Sequence, residues 1–106
     1  MTQGLLGKAT LAASTYTSVA QAAGIQTINI RVVNRDKANG TTLRLAICPA
    51  GWVAGAAPAP EDYIETMDMD IPGGGVLEEI GVAISNGERV VAFSPSSSMT
   101  VRVFGF

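Results

Sequence analysis

The chain has 106 residues, a formal net charge of −2 and no histidine. That removes Ser–His–Asp and Cys–His catalytic arrangements and histidine-ligated zinc, and the single cysteine, Cys48, can close no internal disulfide. Only 15 % of the residues are charged, against roughly 25 % in ordinary domains, and burial against partner subunits is one way to hide so poorly charged a surface.

The length suits one domain. Lys8–Ala12 and Thr15–Ala22 read as short strands. Thr15, Tyr16, Thr17 and Val19 favour strand over the helix that the alanines would also accept. Ala20-Gln21-Ala22 spells a signal-cleavage site, but Ser14–Ser18 interrupt the apolar stretch, so no leader is expected. Thr27–Val32 alternates strictly, with Ile28, Ile30 and Val32 on one face. Thr42–Ile47 does the same with Leu43, Leu45 and Ile47. Asn34–Gly40, ending in Asn39-Gly40, is expected to join the two as a hairpin. Cys48 closes that alternation and reads as a buried, inert thiol.

Ala50–Pro60 is a loop, rich in glycine and proline. Asp62–Met69 reads as a strand carrying Tyr63 and Ile64. Pro72-Gly73-Gly74-Gly75 is a turn. It is no phosphate cradle, because an acidic strand pattern follows it and no lysine does. Val76, Glu78, Ile80, Val82 and Ile84 are expected to share one face. Asn86-Gly87 then reverses the chain into Arg89–Ser94, a second expected hairpin. Ser94–Ser98 is a polar loop, and Met99, Val101 and Val103 alternate to the end.

About eight short strands with turn signals between them predict an all-β fold, an antiparallel β-sandwich or jelly roll. Residues 1–14 read as an N-terminal arm with the first short strand, and residues 15–106 as the sandwich domain. No apolar run approaches the roughly 18 residues of a membrane span.

Charge is unevenly placed. Residues 1–44 sum to +4, residues 45–88 to −8 and residues 89–106 to +2. Such a chain can pair with copies of itself or with a neighbouring subunit, or simply carry solvated charge. Its basic residues are too few, and its aromatics too scarce, for a nucleic-acid surface.

Asp68 and Asp70, with Glu61, Asp62 and Glu65 upstream, place carboxylates along one extended segment. Hard oxygen ligands of this kind can hold Ca²⁺, but the spacing matches no calcium loop, and no metal or cofactor is expected. The same acids lack the aromatic platforms of a glycosidase cleft. The interface candidates are apolar. Trp52 lies in a loop of small residues, and either anchors an interface or folds back as a lid on the core. Leu5 and Leu6 sit between Gly4 and Gly7 on the N-terminal arm. Phe104 and Phe106 straddle Gly105 at the C-terminus.

Several of these segments, taken in order, resemble small structural proteins of tailed bacteriophages. They are Tyr16-Thr17-Ser18-Val19, Thr27–Arg35, Leu43–Ile47, Asp62-Tyr63-Ile64-Glu65, Gly75-Val76-Leu77-Glu78 with Gly81 and Gly87, and Val101–Phe106. The resemblance implies a β-sandwich module without catalytic residues. It implies a capsid decoration (cement) protein, commonly a homotrimer, that binds the major capsid protein on the virion surface. Tail, baseplate and head-fibre components share the look. A carbohydrate- or receptor-binding module is a further alternative, and would draw its platform from Trp52, Tyr16 and Tyr63.

Overall fold

The structure, a computed structural model, describes residues 4–105. Eight strands run in chain order: β1 (Gly4–Thr10), β2 (Thr17–Gln21), β3 (Gln26–Asn34), β4 (Thr41–Cys48), β5 (Met69–Ile71), β6 (Val76–Ile84), β7 (Arg89–Phe93) and β8 (Met99–Gly105). A single 3-10 turn, Pro60–Asp62, precedes β5. Every ladder between them is antiparallel. The sheets have the orders β1-β8-β3-β6 and β2-β7-β4-β5. Each connection except that from β4 to β5 passes from one sheet to the other, which is jelly-roll topology.

The alternation read from the sequence supplies the core. Ile28, Ile30 and Val32 of β3 and Met99, Val101 and Val103 of β8 face Leu43 and Leu45 of β4 and Val90 and Ala92 of β7. All ten are at most 1 % exposed. Each large side chain among them contributes roughly 1.5–3 kcal/mol by leaving water. The radius of gyration is 12.8 Å, against about 13 Å for a folded chain of this length. The two sheets thus close on each other within one chain. At Gly7 they approach so closely that a Cβ would lie 2.1 Å from the Val19 carbonyl oxygen.

Both expected hairpins are instead corners between sheets. β3 pairs with β6 and β8, whereas β4 pairs with β5 and β7. At the end of β3 the buried Asn34 side chain stops the strand. Its Nδ2 donates to the Asn39 and Pro72 carbonyls at 3.0 and 3.2 Å. Its Oδ1 accepts from the Asp36 amide at 3.1 Å and the Ser98 hydroxyl at 2.8 Å. Asp36 Oδ1 then accepts the Ala38 and Asn39 amides, turning the chain across the sandwich. At the other corner Gly87 and Glu88 exchange backbone bonds with Ala22, which ties the Asn86-Gly87 turn to the end of β2.

The expected Asp62–Met69 strand is also absent. Pro60 opens a 3-10 turn, Tyr63 makes one isolated bridge to Ala46, and Asp68 is left-handed at φ 59°. Only Met69–Ile71 pairs with β4.

Candidate functional site

Directly opposed residues of a sheet share a face, so the register gives the outer surface of β1-β8-β3-β6 row by row. One row runs Leu5–Phe104–Asn29, the next Lys8–Arg102–Arg31–Glu78, and the third Thr10–Thr100–Val33–Val76. Leu5 is 42 % exposed, Val76 47 % and Ile80 72 %. Phe104 is half-buried, and the Arg102 guanidinium carbon lies 5.5 Å from its ring centre. Arg31 Nη1 donates to Glu78 Oε1 at 2.7 Å. Among the described residues, neither Lys8 nor Arg102 has a carboxylate within salt-bridge reach. Three cations thus stand side by side on adjacent strands with one anion at the end of the row, beside Arg31, an arrangement that costs energy in the isolated chain. A shallow cavity of about 490 Å³ opens beside them, lined by Lys8, Ala9, Thr10, Thr100, Val101 and Arg102.

Ile80 keeps the outward alternation of Val76 and Glu78, and a bulge after it turns Val82 and Ile84 inward. Ile28 opposes Val82 and Ile30 opposes Glu79, so Ile80 and Gly81 together face Asn29. Gly81 takes φ 71°, and its amide donates to Asn29 Oδ1 at 2.9 Å. The bulge overturns the expected common face. Val76, Glu78 and Ile80 point outward, while Val82 and Ile84 point into the core.

The outer face of the other sheet is covered by its own loop. Ala46, Cys48 and Val91 are buried beneath Tyr16, Trp52 and Tyr63. Trp52 folds back as a lid, its Nε1 donating to the Ala56 carbonyl at 2.9 Å. Arg44 organises the rim. It grips Asp68 with two bonds of 2.7 and 3.1 Å, donates to the Tyr16 hydroxyl at 2.7 Å and lies over the Phe93 ring. The Tyr16 ring stacks on Phe93 at 4.4 Å, and its hydroxyl meets that of Tyr63 at 3.4 Å. Arg44 holds the Asp68 carboxyl below the usual carboxylate range. Burial, and then the Tyr16 hydroxyl, push Tyr63 up to about 12. Burial pushes the Cys48 thiol up to about 11, so it is a poor nucleophile at neutral pH.

On β6, Glu79 meets Glu65. That hydrogen bond, with burial second, pushes Glu79 up to about 7. The segment is not extended at Asp68, which takes φ 59° and gives its carboxylate to Arg44, while Asp70 on β5 opposes Thr42. Among the described residues, no group of three or more Cys, Asp or Glu side chains could hold a metal ion.

Of the interface candidates, the fold brings Leu5 and Phe104 together as direct cross-strand partners. Leu6 turns inward at a bulge and packs against the core. Trp52 lies in the loop over the outer face of the opposite sheet, and Phe106 lies outside the described residues. Reading the sequence missed Ile80 and the row of cations. The signal for Ile80 was Gly81, an isolated glycine inside an alternating run. The cation row has no local signal, since it depends on pairing β1, β8 and β3.

No family model and no curated protein matches the chain. Two solved structures are similar to it, both crystal structures of a pentameric capsid protein isolated from metagenomic phage sequences. The first shares 15 % identity over 96 % of this chain and 62 % of its own, with a TM-score of 0.40. The second shares 19 % identity over 96 % and 58 %, with a TM-score of 0.36. The chain thus spans about six tenths of the length of each.

Proposed function

We propose that the chain is a non-enzymatic structural protein of a bacteriophage particle. It is a decoration (cement) protein that binds the outside of the major capsid shell as a homotrimer and stabilises it. The observation that carries this reading is the uncovered outer face of β1-β8-β3-β6. Leu5, Ile80 and Val76 are exposed there beside unpaired Lys8 and Arg102, although the core is already complete without them. A self-sufficient sandwich that still presents an apolar and cationic sheet face is built to be covered by something else. The ordered strand segments that resemble phage structural proteins point to the virion as the place. The mechanism is mechanical. An oligomer that touches several shell subunits at once dissociates only when all its contacts break together, so modest single contacts suffice.

Copy number tests this. Gel densitometry of purified particles should find the protein in a simple stoichiometric ratio to the major capsid protein. A few copies per particle would place it in the tail, baseplate or head fibre instead.

A further inference from the structure

We propose that the outer face of β1-β8-β3-β6 is the seat of a second copy of this chain, and that the occupant is the acidic Met67–Asp70 segment of that copy. The inference deepens the decoration reading by naming the contact that assembles the oligomer.

Charge complementarity is the first argument. The seat carries Lys8, Arg31 and Arg102 against Glu78, a net charge of +2. Residues 61–70 carry Glu61, Asp62, Glu65, Asp68 and Asp70 and no basic residue. Arg44 engages Asp68, while Asp70, exposed on the outer side of β5, has no cationic partner among the described residues. The cations belong to one sheet and the unpaired acid to the other, on outward faces of opposite layers. They cannot meet within one chain, but they can meet between copies.

The apolar groups match as well. Met67 is 47 % exposed and adjoins the acids, as Leu5 and Ile80 adjoin the cations. The cavity beside Lys8 and Arg102 is flanked by the hydroxyls of Thr10 and Thr100, which suits a carboxylate. The occupant is also held in shape before docking. The Arg44 fork fixes the left-handed turn at Asp68, so less chain entropy is lost when the segment seats. Finally, a cyclic trimer can only join unlike patches, because its interfaces are heterologous. A cationic face meeting an acidic segment is such a pair.

Sedimentation velocity of the full chain over a concentration series is the test, with circular dichroism confirming the fold of each variant. The wild type should be oligomeric, and raising salt should weaken it. Lys8→Glu and Asp70→Lys should each weaken association roughly tenfold or more. Both changes in one chain should restore it, because the pair is then swapped rather than broken. A monomeric wild type overturns the proposal, as does an oligomer indifferent to both reversals. Weakening without rescue in the swapped chain overturns Met67–Asp70 as the occupant. If Lys8→Glu leaves self-association intact but abolishes binding to capsid shells, the seat belongs to the shell and the proposal fails. Charge-dependent assembly of a protein absent from capsid shells would sink the decoration reading and leave this contact standing.

Discussion

Replacing Asn34 by leucine removes the pin at one end of the sandwich. The side chain is 1 % exposed and uses its full capacity, two donated and two accepted hydrogen bonds. Its partners lie on three connections: Asp36 and Asn39 after β3, Pro72 before β6 and Ser98 before β8. Asn34→Leu keeps the bulk and deletes all four bonds. At about 1 kcal/mol net for each, the loss is about 4 kcal/mol. Asn39 and Pro72 are exposed enough for their carbonyls to regain water, which brings the cost to about 3 kcal/mol. For a domain of this size that lowers Tm by roughly 12 °C. Urea unfolding followed by circular dichroism should show a lower midpoint at unchanged slope. Asn29→Ala, which loses one bond at the exposed bulge, should cost under about 1 kcal/mol. An Asn34→Leu protein as stable as wild type would refute the claim that this side chain binds the three connections together.

Other expectations are equally direct. Glu79 has its folded pKa raised to about 7, above the 4.5 of a free carboxyl, so between these values the folded state holds more protons. Stability should therefore fall as pH rises from about 4.5 to about 7, by about 1 kcal/mol once solvent screening at this partly exposed edge is allowed for. Glu79→Gln should flatten that slope in thermal melts taken across the window. Gly7→Ala should destabilise by roughly 2–3 kcal/mol, because its methyl would meet the Val19 carbonyl and force the strands apart; an unchanged melting curve would contradict the close approach. Cys48 should react with a thiol reagent only as fast as the chain opens, and Trp52→Ala should speed that reaction by lifting the lid.

How much of this was legible beforehand depends on the range of each signal. The inward residues of β3, β4 and β8 were readable, because period-two alternation is local and burial follows it. Strand partners were not. Asn39-Gly40 and Asn86-Gly87 spell reversals equally well in a hairpin and in a corner between sheets. Only the pairing of β3 with β8 and of β4 with β7 tells them apart, and that pairing is set by packing of the whole chain. The splitting of the Val76–Ile84 run between two faces is hidden for a related reason. One extra residue at Gly81 flips every later side chain of β6. Leu5 and Phe104 were both visible as apolar groups near the termini, but their contact needs β1 to lie antiparallel to β8. Trp52 was open between anchor and lid, and its indole bond to Ala56 makes it a lid.

A protein that covers a capsid shell and stiffens it, as proposed, delays genome release on heating. Capsid particles of the proposed phage should be prepared without this protein and heated in a fluorescence assay for genome release, with and without the purified chain added back. Add-back should raise the release temperature and saturate at a fixed ratio to the major capsid protein. Release at the same temperature with and without the bound chain, or no binding at all, would contradict that proposal.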